Sequence, residues 1–193
     1  MDKLETLEVS GTPEDIGFAI EQADADSIQK QVLQLAEFRE TERTWQDSSY
    51  LKMLDAVARS VFPEYVLELE GMARGAQVEY ETLLIWNCRG DLPLSDDAIP
   101  ESAKHSPEGC TTLLYPAAKS SVAVIAHNED GPPELDGHCC WLSVRQENGS
   151  KFSTFHYPGM LPGYTFSVNS HGLVQTINNI RVDDLQSGIP HWC

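Results

Sequence analysis

No stretch of this 193-residue chain comes near the roughly 20 consecutive apolar residues that a membrane-spanning helix needs. Positive charge is scarce as well: 13 lysines and arginines stand against 30 acids, a net charge of -17. That balance repels nucleic-acid phosphates and anionic membranes, so neither is an expected partner. Cysteine is sparse and odd in number, with only Cys88, Cys110, Cys139, Cys140 and Cys193. Adjacent Cys139 and Cys140 do not easily bridge each other, so a disulfide framework is excluded and free, buried thiols are expected. Residues 1–10 carry four charged side chains and lack the apolar core of a signal peptide, which makes a cytoplasmic location the expectation. Metal-ligand spacing is missing at His138-Cys139-Cys140, because neighbours on a strand point to opposite faces. No metal or cofactor is expected from these residues.

What remains is 41% hydrophobic and 22% charged, an ordinary globular composition at single-domain length. Residues 1–109 hold 23 acids and 9 bases, net -14, whereas residues 110–193 hold 7 and 4, net -3. The first part reads as helical with acidic solvated faces, the second as strand-rich and more buried. Leu4 to Ser10 alternates like a strand, and Thr12-Pro13-Glu14-Asp15 is a helix start. Ile16, Ile20, Ile28, Val32 and Leu35 keep a helical rhythm to about Arg43, with a break expected over Asp24–Ser27. Leu51 to Val61 predicts a second helix, and Pro63 opens a third that Gly75 is expected to stop. A short helix over Glu81–Trp86 and an exposed linker over Asp91–Glu108 follow. Beyond Cys110 the period is that of strands: Thr112–Tyr115, Val122–Ala126, Cys140–Arg145, Phe152–His156, Tyr164–Val168 and Leu173–Ile177. Helices first and antiparallel strands later argue for an α+β layered fold. Asn148-Gly149-Ser150 reads as a hairpin turn rather than a glycosylation site.

The linker delivers a thiol, Cys110, just after Gly109 and at the start of a strand. Glycine tolerates strain and lets a nucleophile approach its carbonyl, which suits attack of Cys110 on the Gly109 carbonyl and cleavage of that bond. The freed α-amine has an ordinary pKa of about 7.7–8.0 and suits a base acting on its own thiol. A hairpin of Thr112–Tyr115 and Val122–Ala126 returns His127-Asn128-Glu129-Asp130-Gly131 beside Cys110, and Asn128 and Asp130 are expected to face it. Asp130 then holds the nucleophile and Asn128 donates to a developing oxyanion or to the chain; an Asx turn is the competing reading. Arg89 and Arg181 read either as ligands of a substrate carboxylate or as structural salt-bridge partners.

Asn87-Cys88-Arg89-Gly90-Asp91, Gly109-Cys110-Thr111-Thr112 and Asn128-Glu129-Asp130 together resemble the acyl-coenzyme A:6-aminopenicillanic acid acyltransferase family of cysteine peptidases. Ser10-Gly11-Thr12-Pro13, Phe62-Pro63-Glu64-Tyr65, Glu70-Gly71-Met72-Ala73-Arg74-Gly75-Ala76, Val168-Asn169-Ser170-His171-Gly172-Leu173 and Gly188-Ile189-Pro190 continue the likeness. The resemblance implies an N-terminal-nucleophile αββα sandwich within one domain, residues 1–109 forming its pro segment and residues 110–193 the start of its catalytic chain. It also implies autocatalytic splitting and hydrolysis or transfer of acyl groups on small non-peptide N-acyl amides. Carried over by position, Cys110 is the nucleophile, Gly109-Cys110 the processed bond and Asp130 the orienting carboxylate. Thr111, Asn178 and Arg181 are the candidate substrate contacts. Family enzymes continue past the Gly-Ile-Pro segment with more sheet, more helix and an oxyanion asparagine. The expectation for 193 residues is therefore weak activity, or association as a homodimer or interaction module through exposed sheet edges.

Overall fold

The computed structural model of the chain describes residues 4–92, 110–118, 122–178 and 188–193. Strand β1 (Glu5–Gly11) leads into helix α1 (Pro13–Lys30), which starts at Thr12 for a local reason. The Thr12 hydroxyl accepts from the Asp15 backbone N–H at 3.2 Å, and the Asp15 carboxylate accepts from the Thr12 N–H at 3.2 Å. This capping box satisfies two otherwise orphaned donors.

The break expected over Asp24–Ser27 falls later. α1 runs through all four residues, and the chain turns at Gln31 into a 3-10 turn, Val32–Gln34, before α2 (Ala36–Trp45). Polar side chains take up carbonyls that the turn releases: Gln34 Nε2 donates to the Gln29 carbonyl and Arg39 Nε to that of Leu33, both at 3.1 Å. Helices α3 (Ser49–Val61), α4 (Pro63–Ala76) and α5 (Tyr80–Cys88) follow. Gly75 does not stop α4; Gln77 does, in the left-handed conformation at φ 58°. Gly75 serves packing instead. A Cβ there would lie 2.4 Å from the Phe18 carbonyl oxygen, one at Gly71 2.2 Å from that of Glu14, and one at Gly17 2.0 Å from that of Glu68. The backbones of α1 and α4 thus cross at a distance that only glycine permits.

The main sheet has the order β1-β4-β5-β6-β7, with β4 (Cys140–Gln146), β5 (Lys151–His156), β6 (Ser167–Asn169) and β7 (Val174–Gln175). All its pairs are antiparallel except β1 with β4, which is parallel, so this sheet is mixed. A second sheet contains β2 (Thr111–Tyr115) and β3 (Val124–Asn128), antiparallel to each other. The α+β class stands. The strands expected over Tyr164–Val168 and Leu173–Ile177 shrink to the short β6 and β7.

One core joins α2 to α5 through Phe38, Leu54, Leu69 and Leu83 and extends to Met160 and Leu161. A smaller one places Ile16 and Ile20 of α1 against Leu142 and Val144 of β4. Two acids are held away from water: partial burial pushes the Asp24 carboxyl up to about 6, and burial pushes that of Glu68 up to about 8. Among the described residues no helix is long and apolar enough to cross a membrane. Most of the expected linker, Gly109 and Arg181 lie outside the described residues.

Candidate active site

Cys110 is the residue immediately before β2, and the β2–β3 register decides what stands beside it. Thr111 pairs with Asn128 and Thr112 with His127, a pattern that continues to Cys110 opposite Glu129. Side chains alternate faces along a strand, so His127 and Glu129 share the Cys110 face, whereas Thr111 and Asn128 lie on the other. The expectation that the Asn128 and Asp130 side chains face Cys110 requires a register shifted by one residue from this one, and a slip of one flips every side chain. Val124 rather than Val122 opens β3 opposite Tyr115.

The result is a convergence of three chemistries: the ligand atoms of Cys110, His127 and Glu129 all lie within 4.8 Å of one another. His127 Nε2 is 3.0 Å from Glu129 Oε2, and the two side chains are only 3% and 17% exposed. The Glu129 carboxylate accepts from the Cys110 thiol, and the Asp130 backbone N–H donates to its sulfur. Burial raises the thiol pKa, the charges of Glu129 and Asp130 add to the rise, and the Asp130 N–H opposes it.

Asn128 turns away to donate from Nδ2 to Asp130 Oδ1 at 2.7 Å, so both side chains close the turn after β3. Asp130 meets the nucleophile through its backbone N–H. Asn178 joins the site by another route: its Nδ2 donates to the Cys110 carbonyl, and its Oδ1 accepts from the Thr112 hydroxyl at 2.7 Å. Thr176 lies 3.1 Å from the same hydroxyl, which ties the hairpin to the chain beyond β7. Thr111 is exposed and makes none of these contacts.

The first half of the chain supports the site at a distance. Buried Asn87 in α5 donates to the Gly159 carbonyl at 2.8 Å and accepts from the Leu161 N–H at 2.9 Å. Trp86 Nε1 donates to the Pro158 carbonyl at 3.1 Å, and Glu21 Oε1 accepts from the Gly159 N–H at 2.9 Å. The segment so fixed presents Tyr157, whose hydroxyl would lie 2.1 Å from a Cβ at Gly131, the residue after Asp130. A side chain at Gly131 would push the turn off Tyr157.

Among the described residues Arg89 packs on aromatic rings. Its guanidinium lies 4.2 Å over the Trp86 ring and 5.3 Å from that of Tyr164, and donates to the Trp86 carbonyl at 2.9 Å. The rest of the Asn87–Asp91 motif is a fastening: Cys88 Sγ accepts from Trp192 Nε1 at 2.9 Å, and the Asp91 carboxylate is 2.6 Å from His191 Nδ1. Cys88, Cys139 and Cys140 are structural thiols; burial pushes the latter two up to about 12. Two shallow depressions, of about 380 and 540 Å³, are lined by residues of β1, β4 and their neighbours and include none of Cys110, His127 and Glu129.

Residues 117–193 match the family described as acyl-coenzyme A:6-aminopenicillanic acid acyl-transferase. A beta-alanyl-dopamine/carcinine hydrolase of Drosophila melanogaster is 36% identical over 152 residues, covering 72% of this chain. The chain belongs to the acyl-coenzyme A:6-aminopenicillanic acid acyltransferase family. It spans 38% of the length of that Drosophila relative. The family match takes in His127, Glu129, Asp130 and Asn178 and begins after Cys110.

Sequence reasoning missed His127 and Glu129. The signal was present: in a hairpin whose register pairs Thr112 with His127, a His-x-Glu segment places an imidazole and a carboxylate on the face of Cys110.

Proposed function

We propose that this protein is a self-processing cysteine amide hydrolase or acyltransferase acting on small non-peptide N-acyl amides. The observation that carries the reading is the thiol of Cys110 set against a carboxylate and an imidazole, with Asn178 gripping the Cys110 carbonyl. Membership of the acyltransferase family and likeness to a hydrolase named for β-alanyl amines support the reaction class. An αββα N-terminal-nucleophile sandwich in a single domain, with location in the cytoplasm, completes the proposal.

Before splitting, the Cys110 nitrogen is part of a peptide bond and has no basicity. Glu129 therefore takes the thiol proton in the first step, with His127 holding the carboxylate. The thiolate attacks the Gly109 carbonyl, the peptide nitrogen leaves with a proton, and a thioester joins Gly109 to the sulfur. Water then hydrolyses the thioester, releasing the Gly109 carboxylate and the Cys110 thiol and α-amine. In turnover the α-amine acts as base, the thiolate takes the acyl group from the substrate amide as the amine departs, and water or an acceptor amine removes it. Asp130 orients the nucleophile through its N–H, Asn128 braces Asp130 and Asn178 holds the Cys110 carbonyl, while Thr111 and Arg181 are assigned to the substrate by their place in the family pattern alone.

A second reading, a non-catalytic interaction or dimerisation module, draws on the exposure of Leu113 (64%), Leu114 (67%) and Tyr115 (58%) on the hairpin. Mass spectrometry of the purified chain separates the two. Two fragments divided at Cys110, absent from Cys110→Ala, are expected; a Cys110→Ala chain that still divides there sinks the nucleophile assignment.

A further inference from the structure

We propose that Cys110, His127 and Glu129 form a binding site for a zinc ion, which takes the nucleophile out of action reversibly. Thiolate, imidazole and carboxylate are the three donor types that zinc accepts, and a set of this mixed softness favours it over magnesium or calcium. Tetrahedral zinc with bonds of about 2.0–2.3 Å places its ligand atoms roughly 3.3–3.7 Å apart. The three atoms here already lie within 4.8 Å, with nitrogen and oxygen 3.0 Å apart, so small side-chain shifts close the site.

The stronger argument comes from the hydrogen bonds behind the histidine. The Cys110 carbonyl can only accept, so the Asn178 amide turns Nδ2 toward it and Oδ1 toward Thr112. The Thr112 hydroxyl therefore spends its one proton on Asn178 and is an acceptor toward His127 Nδ1, 3.0 Å away. His127 thus carries a proton on Nδ1, and the Nε2–H that donates to Glu129 Oε2 in the metal-free chain, 3.0 Å away, is the proton a metal would displace. A ligating histidine whose other nitrogen is fixed by a hydrogen bond is the usual arrangement at zinc. Charge fits as well: thiolate and carboxylate together neutralise the ion. Binding displaces the thiol proton and the His127 Nε2 proton to the buffer and leaves one position of the tetrahedron for solvent, as in sites with three protein ligands.

Only the consequence for activity rests on Cys110 being the nucleophile; the binding does not. The test is titration of the purified 193-residue chain with CoCl2 in the absence of oxygen, and with ZnCl2 against a chromophoric chelator. One equivalent of cobalt is expected to give a thiolate-to-metal charge-transfer band and the visible bands of a four-coordinate ion, both bleached by zinc. Cys110→Ser is expected to remove the charge-transfer band. His127→Ala and Glu129→Gln are expected to weaken zinc at least about 10–100-fold, the loss that even an outer-shell partner brings. Thr112→Val keeps all three ligands but frees the imidazole, and about 10–100-fold is expected there too. A double variant, Cys139→Ser with Cys140→Ser, keeps both signals. Absence of a one-equivalent band in the parent chain, or a band that survives Cys110→Ser, overturns the site. A chain that splits at Cys110 yet takes up no zinc removes this inference and leaves the proposed function standing; zinc uptake by a chain that splits without Cys110 does the reverse.

Discussion

The helical assembly and the hairpin that carries Cys110 are built on opposite terms. Leu69 and Leu83 in the first are 0% exposed, while Leu113 and Leu114 in the second are 64% and 67% exposed. Apolar burial stabilises by roughly 25 cal/mol per Å², so the helices and the main sheet hold the fold. A two-stranded hairpin alone is marginal in water, and this one is tied down by polar contacts through Thr112, Thr176 and Asn178. Stability and chemistry therefore reside in different places, and the site belongs to the part that opens most easily.

Substitutions can break that division from either side. The largest effect is expected on the chemistry: Glu129→Gln slows splitting by about 10²–10⁴-fold, the usual contribution of a general base, while thermal unfolding stays where it was. Time courses by mass spectrometry alongside a thermal melt check both halves. Asp130→Asn is the comparison, and a greater loss there would transfer the base role to the Asp130 carboxylate.

On the other side, Leu69→Ala removes a fully buried side chain and is expected to cost about 2–5 kcal/mol in urea unfolding. Splitting of the remaining folded fraction should proceed at the parent rate. A smaller, pH-dependent effect is expected of Glu68. Burial raises its carboxyl to about 8 from an ordinary 4.5, so the folded chain binds this proton more tightly than the unfolded chain does. Its contribution is intact below about 4.5 and is lost as pH rises through 8. Glu68→Gln should flatten that part of the stability profile and leave the variant the more stable form above pH 8; parallel profiles would place the titration elsewhere. Least of all, Leu114→Ser on the open hairpin should stay within about 0.5 kcal/mol of the parent. A larger loss would mean that the hairpin has a buried apolar face after all.

Much of the first half was legible because its signals are local. Thr12 as cap and Pro13 and Pro63 as first helical residues act within a few residues of themselves, as does the Asn148-Gly149 turn later in the chain. Gly75 was misread since the same residue type ends helices and permits close packing, and only the presence of Phe18 across the crossing separates the two. The break near Gln31 was misplaced for a similar reason: acidic residues and serine at Asp24–Ser27 weaken a helix locally, but burial of Ile28 and Val32 decides where it ends.

At the site the division is sharper. The sequence by itself determined the Gly109-Cys110 pair, the hairpin after it and the family to which the chain belongs, since residue type and order carry all three. Which side chains meet the thiol was decided by tertiary structure. Pairing register depends on how many residues the connection uses and on the anchoring of Cys110 and Thr112 by Asn178, 68 and 66 residues away. With a side-chain period of two, one residue of register exchanges Asn128 for His127 and Glu129 beside the sulfur.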